Sequence, residues 1–457
     1  MPDQIDPGIP PEKRPWPRWL YWWLSFWTLA ILAAVGYFGY YIYLNGSSSV
    51  MGRETVLLTT AAKHDNEVLP SLPVPTATLA LAASATAPAQ EPTVTVPAES
   101  TATAELPTAT AVPSRERARL PMGSPEYGMQ AFLWWRPETA HRDLGLIRDA
   151  GFTWVKQQFA WRDIEPSKGQ YDWTRTDRIM DQVDEFGLNI LVRLDNQPEW
   201  AGGGFPENGP PDNLQDFVDF SYALAERYRG RIDAYEIWNE PNLAREWGGR
   251  SPDPAEYVQL LSVAYEAIKR ADPEAIVITA GLTPTGTQPP VAMPDDAYLR
   301  GMYEAGMQGY YDMIGVHAAG YKAPPELSPD EAAGNKEAYG GERFFCFRRV
   351  EDLRAIMVEY GEEDTQVAIL EFGWTSDPRD DSPYHWHAVD EFTKADYLVR
   401  AYQYATANWS PWIGLMSLIY IGNPDWTASN EEWYWSITNP DVGSPRAAYV
   451  RLAEMEK

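Results

Sequence analysis

The chain has 457 residues, of which 37 are Lys or Arg and 65 are Asp or Glu, so its formal net charge is −28 with neutral His. A chain this acidic is a poor general binder of nucleic acid, because neutralising phosphates needs a basic face. Its single cysteine, Cys346, excludes an intramolecular disulfide framework and a cysteine-cluster metal site, and a mean hydropathy of −0.41 excludes a polytopic membrane protein.

The first predicted element is a membrane-spanning helix over residues 19–44, a run that carries no charged side chain. A helix of 26 residues can cross a hydrocarbon core of about 30 Å with some tilt. Tryptophans crowd its start and tyrosines its end, as in interfacial aromatic belts. Lys13, Arg14 and Arg18 precede it, so residues 1–18 are predicted to be a cytoplasmic tail and the rest to lie outside the cell. A cleaved signal peptide is the alternative, although no clear A-x-A site follows the run.

Residues 45–118 are predicted to form a disordered stalk. Within them, residues 68–113 contain no Lys or Arg and repeat the sequence PTAT at 75–78 and 107–110. Such a Thr/Ala/Pro-rich segment buries too little apolar surface to offset the entropy of ordering, and it acts as a spacer. Because residues 1–118 carry seven basic and ten acidic side chains, most of the negative charge belongs to residues 119–457.

Residues 119–457 alternate short apolar runs with amphipathic stretches, which predicts an α/β fold, a (β/α)8 TIM barrel. A doubly wound sheet is the alternative, but no glycine-rich phosphate turn follows the first strand. The predicted strands are 127–133, 153–159, 189–195, 233–238, 275–281, 313–317, 366–371 and 415–420. The predicted helices are 137–149, 174–187, 213–229, 254–270, 390–407 and 445–455, with long loops at 283–294 and 323–347.

Two predicted strands end at or near a glutamate: Glu240 follows the fourth strand and Glu371 ends the seventh. A carboxylate placed after buried apolar residues is costly unless it faces a polar cavity. Barrel enzymes carry their chemistry at the C-terminal ends of the strands. Two carboxylates facing each other there have the arrangement that glycosidic bond cleavage requires. The structural alternatives are a helix-capping role for Glu240 and an ion pair between Glu371 and Arg193.

The tripeptide Asn239-Glu240-Pro241, the later Glu371 and the loop from Trp161 to Trp173 resemble the clan A retaining glycoside hydrolases, in particular families 5 (cellulase-like), 39 and 42. The resemblance covers about residues 122–455. It implies that Glu371 is the ionised nucleophile and that Glu240 is the general acid, protonated in the free enzyme, and then the general base. It also implies that Asn239 binds the sugar 2-hydroxyl and that no cofactor or metal is needed.

Further substrate-binding residues are expected around these glutamates. His317 ends the sixth strand, and Tyr321 follows it by four positions instead of the two that are common in the clan. Aromatic rings stack on the apolar faces of sugars, so tryptophans at strand ends are expected to form subsites, although some would instead fill the layer between barrel and helices. The other predicted substrate-binding residues are Trp200, Trp374, Trp426 and Arg193.

The sequence therefore predicts a single-pass, membrane-anchored glycoside hydrolase that cleaves β-linked oligo- or polysaccharides outside the cell. A catalytically inactive glycan-binding protein of the cell surface, built on the same fold, is the main alternative. His385 and His387 are separated by one residue, but no third ligand stands at the spacing of a metal site. Lys156, Arg193 and Arg245 are the cations expected near the cleft.

Overall fold

The structure is a computed structural model and describes residues 117–457. The predicted tail over 1–18, the membrane helix over 19–44 and all but the last two residues of the stalk over 45–118 lie outside the described residues. Within residues 117–457, each helix is too short or too polar to be a membrane span.

Within residues 117–457, eight parallel strands form the barrel. They are β1 Glu126–Gln130, β2 Trp154–Ala160, β3 Asn189–Asp195, β4 Ala234–Ile237, β5 Ile276–Thr279, β6 Ile314–His317, β7 Val367–Phe372 and β8 Ile413–Leu418. Their hydrogen-bonded order is β5-β4-β3-β2-β1-β8-β7-β6, and isolated bridges from Ile278 to Met313 and from Leu282 to Val316 join the two outer strands. The sheet is thus a nearly closed (β/α)8 barrel, which confirms the predicted fold.

Helices follow the strands around the outside of the barrel. They are α1 Pro137–Asp149, α2 Trp161–Ile164, α3 Thr174–Phe186, α4 Leu214–Arg227, α5 Pro254–Ala271, α6 Asp295–Glu304, α7 Pro329–Gly334, α8 Lys336–Tyr339, α9 Arg349–Glu359, α10 Glu391–Asn408, α11 Glu432–Trp435 and α12 Ala447–Glu454. The sequence did not predict α2, α6, α7, α8, α9 or α11, and α7 and α8 lie within the stretch 323–347 that was predicted to be a loop. Asp295 at the start of α6 is buried against Arg349 at the start of α9, with 2.7 Å between Oδ1 and Nη2. This tertiary ion pair leaves no trace in helical periodicity.

The barrel interior has an apolar lower half and a charged upper half. Side chains alternate along a strand, so the inward positions of β2 are Trp154 and then Lys156, and those of β3 are Leu191 and then Arg193. The first residue of each pair belongs to an apolar cluster inside the barrel, and the second is a buried cation nearer the C-terminal end. Buried charges need partners, and these partners form the candidate site.

Residues 117–123 lie across the opposite, N-terminal end of the barrel. Arg117 donates to Asp272 just before β5, with 2.9 Å between Nη1 and Oδ1. The backbone N–H of Met122 donates to Gln366 just before β7 at 2.7 Å, and the Met122 side chain joins the apolar interior cluster. The described chain therefore enters the barrel at the end remote from the charged residues.

Candidate active site

Glu240 is presented by an unusual backbone turn at the end of β4. Trp238 has φ of 74° and Glu240 has φ of 40°, a left-handed region that residues other than glycine rarely adopt. The fully buried ring of Trp238 points into the helix layer, where its Nε1 donates to the Glu246 carbonyl at 2.8 Å. The next residue, Asn239, accepts a hydrogen bond at its Oδ1 from Arg193 Nη1 at 3.0 Å. Backbone strain of this kind concentrates at functional sites.

Glu371 on β7 is held by two buried cations at one carboxylate oxygen. Its Oε1 lies 3.2 Å from Arg193 Nη1 and 3.4 Å from Lys156 Nζ. Burial acts to raise the pKa of Glu371, but interactions with His317, Lys156 and Arg193 outweigh it, so the pKa lies below its usual value. These contacts favour the ionised carboxylate that a nucleophile requires.

Each of these cations has a second acidic partner inside the barrel. Lys156 Nζ lies 2.8 Å from Glu236 Oε2, and Arg193 Nε lies 2.9 Å from Asp195 Oδ2. Glu236 is completely buried and contacts Lys156 from the strand that leads to Glu240. Glu236 therefore has a structural role, because its negative charge compensates a cation that water cannot reach.

Both oxygens of Glu240 accept bonds from nitrogen donors. His317 Nδ1 lies 3.0 Å from Oε1, and Arg245 Nη2 lies 3.0 Å from Oε2. Burial acts to raise the pKa of Glu240, but the hydrogen bond and charge interaction with His317 and the charge of Arg245 outweigh it, so the pKa is lowered. The protonated Glu240 expected from the sequence is therefore not the form that these contacts favour.

The orientation of His317 depends on a close approach to Gly281. A Cβ atom at Gly281 would lie 2.2 Å from both Cδ2 and Nε2 of the imidazole, so no larger residue fits there without moving the ring. The Gly281 carbonyl also accepts from the Glu240 backbone N–H at 3.2 Å. An ionised carboxylate only accepts hydrogen bonds, so the contact with Oε1 requires the proton on Nδ1.

An aromatic groove lies beside Glu240, with a volume of about 460 Å³. Tyr321, predicted to bind substrate, is one of its walls, and its ring contacts Phe345 at 4.8 Å between centroids. Burial raises the pKa of Tyr321, and the negative charge of Glu240 contributes to this shift. Burial and nearby carboxylates, Glu240 among them, raise the pKa of Tyr384 to about 12. The groove is lined by Pro284, Thr285, Gly286, Thr287, Tyr321, Phe344, Phe345, Pro383, Tyr384, Trp386 and His387.

A second aromatic cluster lies at the ends of β1 and β8. Trp426 contacts Phe132 edge-on at 4.7 Å and Tyr420 at 5.1 Å between ring centroids. All three rings are partly exposed. The position of Trp426 at the C-terminal rim of the barrel is compatible with the sugar-stacking role predicted for it.

Three predicted substrate-binding residues are placed differently from the expectation. Trp374 is fully buried, and its Nε1 donates to the Ala323 carbonyl at 2.9 Å, so its ring fills the layer behind the sheet. Trp200 is partly buried against the core, where it donates to the Glu165 carbonyl at 2.9 Å and packs edge-on against Trp161. Arg193 is 4% exposed and contacts Glu371 from the interior of the barrel. Large rings at strand ends serve the core here as much as the cleft.

The long loop after β7 contributes groups that the sequence analysis did not assign to the site. Trp386 is 43% exposed in the groove, and Arg245, predicted only as a nearby cation, contacts Glu240 directly. The two aromatic residues Tyr384 and Trp386, spaced two positions apart, were the signal in the sequence from which this part of the groove could have been predicted.

Among residues 117–457, no group of three or more His, Cys, Asp or Glu side chains is arranged to hold a metal ion, and His385 and His387 form no such group.

The barrel and its paired carboxylates define the class: the chain resembles the clan A glycoside hydrolases. The glycoside hydrolase family 42 model, described as beta-galactosidase, matches residues 130–223. A family 39 glycoside hydrolase from Bacteroides cellulosilyticus WH2 superposes with a TM-score of 0.54 at 22% identity, over 73% of this chain and 63% of that one. A glucosidase from Croceicoccus marinus superposes with a TM-score of 0.52 at 17% identity, over 73% of this chain and 67% of that one.

Among curated proteins, a beta-xylosidase from Geobacillus stearothermophilus is 28% identical over 130 residues. The match spans 25% of this chain and 25% of the xylosidase, so the chain corresponds to about a quarter of that relative's length. Families 39 and 42 are among those that the sequence motifs resemble. The comparisons therefore confirm the predicted resemblance, and the structural ones establish the fold.

Proposed function

We propose that this protein is a retaining β-glycosidase in which Glu371 is the nucleophile and Glu240 is the acid/base. The observation that carries the proposal is one continuous network at the C-terminal end of the barrel. Arg193 Nη1 contacts both Glu371 and Asn239, the residue before Glu240. This network brings the carboxylates of Glu240, which follows β4, and of Glu371 on β7 to the same end of the barrel, and glycosidic bond cleavage uses two such carboxylates.

The reaction follows from these groups in two displacements. A Glu371 carboxylate oxygen bonds to the anomeric carbon, the bond from that carbon to the glycosidic oxygen breaks, and Glu240 gives its proton to the departing oxygen. A water molecule then attacks the anomeric carbon, Glu240 takes the water proton, and the bond to Glu371 breaks. Lys156 and Arg193 hold Glu371 ionised for the first step. Arg193 also holds the Oδ1 of Asn239, which leaves the Asn239 amide nitrogen to donate to a sugar hydroxyl.

The test is a screen of the full-length protein against aryl β-xylosides, β-galactosides and β-glucosides, together with β-linked polysaccharides. The variants Glu371→Gln and Glu240→Gln should each lose at least about 10³-fold in kcat, the scale of nucleophile and acid–base contributions. Glu454→Gln, an exposed change on α12, is the matched control and should retain full activity. Turnover that survives both site substitutions would refute the assignment.

The same screen separates the alternative function. A glycan-binding protein without catalysis would bind oligosaccharides in calorimetry and release no product from any glycoside. Glu371→Gln would then leave turnover at zero while changing only the affinity.

We further propose that the barrel acts outside the cell on a membrane anchor formed by residues 19–44, with residues 45–118 as the spacer. The support is the uncharged run, its flanking basic residues and the Thr/Ala/Pro-rich composition of the spacer region. Protease added to intact cells should remove the barrel and leave a short membrane-bound fragment. Protection of the barrel in intact cells, with cleavage only after lysis, would contradict this location.

A further inference from the structure

The contacts of Glu240 conflict with its role as a proton donor. An acid must carry its proton on an oxygen that faces the leaving group, whereas Oε1 accepts from His317 and Oε2 accepts from Arg245, both at 3.0 Å. An oxygen that accepts from a guanidinium is poorly placed to bear a proton, because Arg has donors and no acceptor. One of these two bonds must therefore open before the first displacement.

Arg245 is the more exposed of the two contacts. Its side chain is 68% exposed, whereas that of His317 is 5% exposed and rests on Gly281. Arg245 stands on the short 3-10 turn Ala244–Glu246 and has a more distant carboxylate, Glu246, at 3.8 Å. It also interacts electrostatically with Tyr384, a wall of the aromatic groove. The guanidinium thus lies on the solvent side of Glu240, next to the groove.

Glu431 is a further acidic residue near Arg245, in addition to Glu240 and Glu246. This residue precedes α11 in the loop after β8, and its Oε2 is buried without a hydrogen-bond partner. Burial and the charge of Glu432 raise the pKa of Glu431 to about 8, and Arg245 acts in the opposite direction. An approaching guanidinium favours the ionised form of a carboxyl group, so Glu431 would release its proton to solvent and pair with Arg245 through Oε2 as the cation turns toward it.

We propose that Arg245 is a substrate-displaced counterion of Glu240, which pairs with Oε2 until a leaving group enters the aromatic groove, then turns toward Glu431 and frees Oε2 to take a proton from solvent. This inference rests on the proposed function, because it assigns Glu240 as the acid. It makes Arg245 a positioning residue whose departure couples the protonation of the acid to occupancy of the leaving-group side of the cleft.

Several other groups face Glu240 from the surrounding elements. His317 comes from β6, Glu371 from β7, Thr283 from the loop after β5, and Tyr321 and Tyr384 from the two long loops. We expect all of them to remain in place when Arg245 is changed, because Arg245 donates its side-chain hydrogen bond to Glu240 and not to them. The effect of Arg245 is therefore measurable against a constant background.

The test compares two pH profiles of the full-length protein. The profile of kcat/KM reports the free enzyme and that of kcat reports the substrate complex. In the wild type, the alkaline limb of kcat/KM, which reports loss of the Glu240 proton, should lie below that of kcat by about 1–3 pH units, the effect of a close opposite charge on a carboxyl group. Arg245→Met should move the kcat/KM limb up to meet the kcat limb, which itself should stay in place.

Two further variants sharpen the comparison. Arg245→Lys keeps the charge and should retain a gap between the limbs. Arg250→Met removes a neighbouring arginine that pairs with Glu256 instead, and it should behave as the wild type. Limbs that coincide in the wild type, or that do not respond to Arg245→Met, would overturn the proposal.

A second readout does not depend on turnover. Carboxyl ¹³C NMR of the free protein, with the Glu240 signal assigned by its loss in Glu240→Gln, should show Glu240 titrating at a higher pH in Arg245→Met than in the wild type. An unchanged titration would overturn the proposal whatever the activity. The expected titration shift in a protein that turns over no glycoside would support the counterion and would count against the proposed function alone.

Discussion

The backbone of His317 on β6 pairs with that of Glu371 on β7 at a point where the register of the two strands shifts. Val316 pairs with Ile369, and the next residue, His317, pairs with Glu371, so one residue of β7 is passed over. Such bulges re-aim side chains and are frequent beside active sites. The shift sets the imidazole level with Glu371 while its Nδ1 contacts Glu240.

The packing of His317 on Gly281 predicts an effect on catalysis from a small substitution. Gly281→Ala would bring a methyl group into the imidazole, so His317 should shift and kcat should fall by about 10²-fold, a scale expected for misplacement of a catalytic group by about 1 Å. Gly334→Ala at the end of α7 meets no atom within 4 Å and serves as the control. Equal kcat values for the two variants would contradict this account of the ring's position.

The buried pair of Lys156 and Glu236 predicts a large loss of stability. Lys156→Met leaves Glu236 as a buried carboxylate without its cation, and breaking such a pair costs about 3–5 kcal/mol. The double variant Lys156→Met, Glu236→Gln should recover part of this loss, because no uncompensated charge remains. Denaturant unfolding measures both free energies, and a double variant no more stable than the single one would argue against the pairing.

The lowered pKa of Glu371 predicts activity in acid. Catalysis needs the ionised form, so the acidic limb of kcat/KM should lie below about 4.3, the ordinary pKa of a glutamate. Arg193→Met removes one of the cations that lower this pKa, so the limb should move to higher pH. Circular dichroism at each pH distinguishes this shift from acid unfolding, and a limb that stays in place would exclude Arg193 as its cause.

Glu431 predicts a specific pH dependence of folding. In the folded protein it keeps its proton up to about pH 8, whereas an unfolded glutamate loses it near about 4.3. The stability from this group is therefore fully present below the unfolded value and is lost as the pH rises through about 8. Glu431→Gln should gain stability relative to the wild type between pH 5 and pH 8 in thermal unfolding. Glu454→Gln should show no such trend.

The sequence predicted the barrel because its strands are continuously apolar and its matching helices are amphipathic. Residues 189–195 and 137–149 have the predicted boundaries. Glu240 and Glu371 were found because a carboxylate stands where a buried strand ends. Arg245 could not be assigned to Glu240, because their contact depends on a left-handed turn that the sequence Asn-Glu-Pro does not reveal. The sequence analysis wrongly placed Trp374 in the cleft, because a side chain at the end of a strand can also point away from the barrel axis into the layer behind the sheet.

The hydrogen bonds of Arg117 and Met122 at the base of the barrel bear on how the protein could be attached to a surface. Arg117 lies at the pole opposite the cleft, so a tether attached at this residue would leave the mouth unobstructed. Immobilising the protein on a solid support through its N-terminal side should preserve access for bulky polysaccharides. Coupling through the loop that carries Trp386 should block it.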